Sequence, residues 1–145
     1  MTTSRQSIRT QLAALLAANV PSAQAVYAYE PGDLNGQSPV LVIASAGSER
    51  MWRSHGTPHL RVYLTVDVYT RAAESATGGY TYATSADVID TVEAQIATTI
   101  DAHQTEPGLW VGITYADRSL VEFGLWDALP YFRERIPLQI ETVPL

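Results

Sequence analysis

The sequence predicts an α+β fold: a mostly antiparallel sheet with a long central strand, packed by an N-terminal helix and one long amphipathic helix. Three observations carry this expectation. Leu60, Val62, Leu64, Val66 and Val68 fall on every second residue of Leu60 to Arg71, with Arg61, Tyr63, Thr65, Asp67, Tyr69 and Arg71 between them. Successive side chains of a strand point to opposite faces, so this stretch reads as a long strand with one apolar and one polar face. Val88, Ile89, Val92, Ile96 and Ile100 recur at helical spacing within Ser85 to Ala102. From Leu109 to Val143, short alternating runs are separated by turn residues, which is the pattern of consecutive strands.

With 145 residues, the chain is expected to form one domain over 1–145 around a single core. An apolar fraction of 46% and a charged fraction of 17% are ordinary for a folded protein. The net charge of -6 argues against a free-standing nucleic-acid binder, which carries a basic stripe to neutralise phosphates. Without cysteine there is no disulfide, thiolate zinc site or cysteine nucleophile. No apolar run approaches the length that spans a bilayer as a helix, and no membrane partner is expected.

The N-terminal segment admits two readings. Arg5 and Arg9 precede the apolar run Leu12 to Ala18, and Ala23-Gln24-Ala25 has the small-x-small spacing of a signal cleavage site. The run is short for a signal, and Ile8, Leu12, Leu15 and Leu16 make one face of an amphipathic helix, which is the preferred reading. Ser4 is the expected N-cap and Val20-Pro21 the expected stop. Ala25 to Tyr29 then reads as a strand, Glu30 to Pro39 as a loop, and Val40 to Ala44 as a strand buried on both faces. The two strands are expected to pair as a hairpin.

Ser45 to Pro58 reads as a loop from its glycines, serines and Pro58. It carries Met51 and Trp52 between Arg50 and Arg53, either as an interface contact or with Trp52 folded back as a lid on the core. Ala72 to Thr84 contains Gly78-Gly79, Tyr80 and Tyr82, and reads as an extended arm or a hairpin tip. In the helix that follows, Ser85 is the expected cap and Asp87 the first-turn acid, while Asp87, Asp90 and Asp101 gather on the polar side. Further on, Leu109, Val111, Ile113 and Tyr115 alternate, Ala116 to Ser119 is a turn, and Leu120 to Trp126 returns antiparallel. Asp127 to Pro130 breaks the run, and Tyr131 to Val143 closes the chain with Phe132, Ile136, Leu138 and Ile140 on one face. Pro137 assigns this last strand to an edge or to a local irregularity, because proline has no N–H for a ladder.

No catalytic or cofactor motif accompanies these elements. His55, His59 and His103 lack metal-ligand spacing, since Pro58 interrupts the first two and His103 ends a helix. There is no G-x-S-x-G elbow, phosphate loop or dinucleotide fingerprint. Paired carboxylates, for example Asp67 with Glu122, are candidates for an acid/base pair, and sequence does not fix their separation. The expectation is therefore a non-enzymatic protein with no catalytic, cofactor or metal site and no cofactor.

The order of helix, two strands, long strand, arm, helix and three strands resembles the tail terminator (tail completion) proteins of long-tailed phages. The local matches are Leu60 to Tyr69, the helix Ser85 to Ala102 and the closing Tyr131 to Ile140, with its aromatic-Arg-x-Arg-apolar pattern. The resemblance spans nearly the whole chain and is architectural, and small neck and head-closure proteins have a similar outline. It implies a structural virion protein that forms a homo-oligomeric ring, expected to be hexameric. Such a ring caps the tail tube, stops its polymerisation and offers a joining surface to the head.

The implied partners are copies of itself, the tail tube protein and a head-side connector or neck protein. DNA passes through the channel without specific binding, and acidic side chains lining it would keep DNA from adhering. The implied location is the head-proximal end of the virion tail, and the host cytoplasm during assembly. Interface residues on this reading are Arg50, Met51, Trp52, Arg53, Arg61, Tyr63, Tyr69, Arg71, Tyr80 and Tyr82. Asp87, Asp90 and Asp101 are the acidic counterparts on the next subunit. The alternative is a small enzyme or ligand-binding domain, with a pocket between sheet and helix and inward polar groups such as His59 or Tyr115.

Overall fold

A computed structural model describes residues 4–52, 58–72, 82–126 and 128–142. Helix α1 spans Arg5–Asn19 and is followed by strands β1 (Ala25–Tyr27), β2 (Val40–Trp52) and β3 (Pro58–Arg71). Helix α2 (Tyr82–Ala102) precedes β4 (Trp110–Tyr115), β5 (Leu120–Trp126) and β6 (Leu129–Thr142). The six strands form one sheet in the order β1-β2-β3-β6-β4, with β5 also paired to β6. All pairings but β1 with β2 are antiparallel, so the class is α+β with a mostly antiparallel sheet, as expected.

Both helices lie on one face of the sheet. Ser4 caps α1: its hydroxyl accepts from the Ser7 amide at 3.1 Å, and the Ser7 hydroxyl accepts from the Ser4 amide at 3.0 Å. Ile8, Leu12 and Leu16 of α1 and Ile89, Val92, Ile96 and Ile100 of α2 are buried in one cluster with Leu41, Val62, Leu64, Val66, Leu138 and Ile140. Burying each such side chain contributes about 1.5–3 kcal/mol.

Helix α2 begins earlier than expected, at Tyr82, so Ser85 is not its cap and no acidic residue stands in its first turn. Ser85 is buried instead. Its hydroxyl donates to the Thr70 hydroxyl at 2.7 Å, and this polar pair pins α2 to the end of β3.

Several strand expectations need correction. β1 pairs with β2 in parallel, not as a hairpin. The connection from Tyr27 to Val40 is long enough for a parallel return. It is tied down by buried Leu34 and by the Tyr27 hydroxyl on Gln37 at 2.8 Å. β2 does not end at Ala44 but runs to Trp52 through a bulge between Ser45 and Gly47. Gly47 has φ +117°, which glycine adopts without strain, so the ladder to β3 continues past the bulge.

The polar face of β3 is not uniformly wet. Asp67 and Tyr69 are buried, because the connection bearing Leu34 and the β5–β6 hairpin cover that face in a second cluster with Val40, Val42 and Tyr131. In β4, a register shift between Trp110 and Gly112 breaks the expected alternation. Trp110 and Ile113 are buried, whereas Val111 and Tyr115 are exposed.

β5 does not return along β4. Both strands run antiparallel to β6, β4 beside its C-terminal half and β5 beside its N-terminal half. Residues 116–119 are thus a jog in one interrupted edge. Leu129 and Pro130 belong to β6 and form a hairpin with β5. β6 is flanked on both sides, by β3 and by β4 with β5, so Pro137 is not on an edge. Its carbonyl accepts from Ala116 at 3.0 Å, on the side of the jog. N–H and C=O of one strand residue point the same way, so the missing donor of Pro137 falls where the neighbouring strand is interrupted.

Candidate interaction surfaces

The charged residues of the sheet are largely consumed within the chain. On the face away from the helices, Arg135 donates two hydrogen bonds of 3.0 Å to the buried Asp67 carboxylate. That contact raises the Arg135 guanidinium above its ordinary range. Arg133 pairs with Glu122 and stacks over Trp126, 5.3 Å from the ring centre. Each carboxylate of the expected Asp67–Glu122 pair is therefore held by its own arginine of β6, which is a structural role. Trp126, Tyr69 and Tyr131 meet edge to face around these arginines. Burial raises the Tyr69 hydroxyl, and the nearby Asp67 carboxylate adds to it.

Of the expected interface residues, Arg61 pairs with Glu141 of its own chain, which raises its guanidinium. The Tyr63 hydroxyl donates to Glu49 at 2.9 Å. Tyr69 is buried, and Arg71 is half-buried, its guanidinium passing over Gly36. Arg50, Asp87, Asp90 and Asp101 are exposed. Arg53 and Tyr80 lie outside the described residues, as does His55. Met51, Trp52 and His59 fall in strands and Tyr82 in α2, with only their backbone described.

Arg50 has company that the sequence reading missed. With Arg5, Arg9, Ser4 and Ser45 it lines a hollow of about 520 Å³ at the start of α1, where Arg9 donates to the Ser45 hydroxyl at 2.9 Å. The register sets Arg50 opposite Leu60, a member of the helix-covered cluster, so the hollow opens on the helix-bearing face.

A second surface lies at the opposite edge of the sheet. Among the described residues, six of the seven exposed large apolar side chains belong to β4 or β5: Val111, Tyr115, Leu120, Val121, Phe123 and Leu125. Val121 stands opposite Glu134 and Phe123 opposite Phe132, so this part of the ledge faces the helix side, whereas Leu120, opposite Arg135, faces away from it. It is bordered by acid. Glu134 is buried, which raises its carboxyl; the Ser119 hydroxyl at 2.6 Å opposes that rise, and Glu93 and Asp90 of α2 add to it. The Tyr115 hydroxyl is raised by burial, then by Glu93, Asp101 and Glu134. The sequence signal for the ledge is Leu120 to Trp126, where apolar residues occupy both parities of a short strand.

Among the described residues, no three His, Cys, Asp or Glu side chains converge as a metal site would require, and no helix is long and apolar enough to cross a membrane. Tyr115, expected inward if the chain held a pocket, is 45% exposed.

The geometry defines an α+β protein whose outward features are an arginine-lined hollow and an exposed apolar ledge at two edges of one sheet. No protein-family profile matches the chain. No curated protein matches it. Among solved structures, it is similar in fold to a chain of the virion of a native gene transfer agent particle, with a TM-score of 0.53 and 16% identity. That similarity covers 97% of this chain and 96% of the other.

Proposed function

We propose that this chain is a structural virion protein of a phage or phage-like particle, and specifically a tail terminator. The observation that carries the proposal is the fold likeness to a virion chain, which runs nearly end to end on both sides. Copies assemble into a ring, expected to be hexameric, that caps the finished tail tube. One side of the ring matches the growing end of the tube and the other does not, so polymerisation stops and the head is offered a docking face. The partners are other copies, the tail tube protein and a head-side connector, and DNA passes through without specific binding. The protein makes and breaks no bonds. It resides at the head-proximal end of the tail, and in the host cytoplasm during assembly. The Arg50-Met51-Trp52-Arg53 segment, with Tyr80 and Tyr82, supplies contacts to the tube or head, and Arg50 with Asp87, Asp90 and Asp101 sets subunit register.

The test is assembly in vitro. Light scattering should find a closed multimer, and the purified chain added to polymerising tube protein should fix tube length. Tubes that grow past it while heads still attach would make it a neck protein elsewhere in the particle. A chain that remains a single subunit at every concentration and converts a small molecule would refute the reading. Trp52→Ala and the Tyr80→Ala, Tyr82→Ala pair should give tails of uncontrolled length or unjoined heads; normal particles would remove those segments from the contacts.

A further inference from the structure

The arginine hollow and the Val121, Phe123 and Leu125 side of the apolar ledge face the same way, yet lie at opposite edges of the sheet with β3 and β6 between them. They do not meet within one chain. Their chemistry matches: Arg5, Arg9 and Arg50 on one side, Asp90 and Glu93 near Glu134 on the other, with exposed Val121 opposite Glu134 and Leu125 further along β5. β1 covers only Val40, Leu41 and Val42 of β2, so from Ile43 onward the β2 edge pairs with no other strand among the described residues. The outer edge of β5 is likewise without a described strand. An edge that pairs with no described strand offers backbone N–H and C=O groups that another chain can meet.

We infer that the arginine hollow of one copy receives the acidic flank of α2 and the β5 ledge of the next copy, in a head-to-tail contact. This rests on the ring reading and names the surfaces that build it. The two patches differ, so the contact is heterologous, and repetition of one rotation closes a ring. The apolar ledge supplies the buried area, while the acid-to-arginine match sets register and excludes the inverted pairing. Arg61, Arg133 and Arg135 take no part, because each holds a carboxylate of its own chain.

The experiment uses the full chain and two charge-reversed sets, exposed Asp90→Arg with half-buried Glu93→Arg, and exposed Arg5→Glu with exposed Arg50→Glu. Mass is read by light scattering over a wide concentration range, with circular dichroism to establish that each variant folds. Each set alone should weaken association at least tenfold. Both sets in one chain should restore it, as should mixing the two singly reversed chains. Leu125→Lys, at a side chain 70% exposed, should weaken association without touching the acid–arginine match. A wild-type ring that survives both reversed sets, or a combined chain that fails to recover, overturns the assignment of surfaces and leaves the ring itself standing. A wild-type chain that never associates overturns both.

Discussion

Asp67 and Arg135 face each other across the β3–β6 ladder, the carboxylate buried and the guanidinium 48% exposed at its side chain. The pair is therefore asymmetric. Removing the arginine strands a buried charge, whereas removing the acid frees an arginine that reaches water. Arg135→Ala should cost about 2 kcal/mol in urea unfolding at neutral pH, and Asp67→Asn about 1 kcal/mol. The reverse order would mean that the carboxylate is not sealed from solvent.

Glu134 should make stability depend on pH. Its folded carboxyl is raised by burial, so it stabilises the fold while protonated, and that contribution is lost as pH rises through the raised value. Glu134→Gln should match wild type below the ordinary glutamate range and melt higher than wild type above it. Melting curves from acid to neutral pH read this directly. A gap that stays constant across that range would show that the charge is compensated.

Thr70 and Ser85 should be coupled. The Ser85 hydroxyl donates to the Thr70 hydroxyl, and the Thr70 hydroxyl donates in turn to the Ser85 carbonyl at 3.4 Å. Ser85→Ala should cost about 1–2 kcal/mol, and much less when Thr70 is already valine. Additive losses in that double-mutant cycle would break the link between α2 and the end of β3.

Gly47 offers a test of backbone alone. Nothing lies within 4 Å of where its Cβ would stand, yet its φ is +117°. Gly47→Ala should destabilise by about 1–3 kcal/mol through strain, with no steric clash. An unchanged unfolding midpoint would mean that the bulge relaxes freely.

Local chemistry was readable where a single element decided it. Ser4 caps α1 as its position before an apolar periodic run implies, and the Val88 to Ile100 stripe faces the sheet. Asn35 and Gly36 both adopt positive φ in the turn their dipeptide suggests. What escaped were relationships between elements. Ala25 to Tyr27 and Val40 to Ala44 fit a hairpin or a parallel pair equally well, and only the anchored connection between them decides. Ser85 is as good a cap as a buried bridge until Thr70 is known to lie beside it. Pro137 excludes a ladder hydrogen bond, but the jog at 116–119 that excuses it is set by how two other strands line up. The candidate surfaces divide in the same way. Exposed Arg50 and the acids of α2 were legible, while the hollow needed Arg5 and Arg9 brought up by α1, and the ledge needed β5 placed at an edge.

The position of β6 has a consequence for how the chain comes into being. It is made after every strand it joins, yet it lies between β3 on one side and β4 with β5 on the other. Until Leu129–Thr142 leaves the ribosome, β4 and β5 have no ladder to enter and half the sheet waits as unpaired chain. Synthesis must therefore pass Thr142 before the β4–β5 flank of the sheet takes its ordered form, which ties the maturation of that flank to the emergence of a single strand.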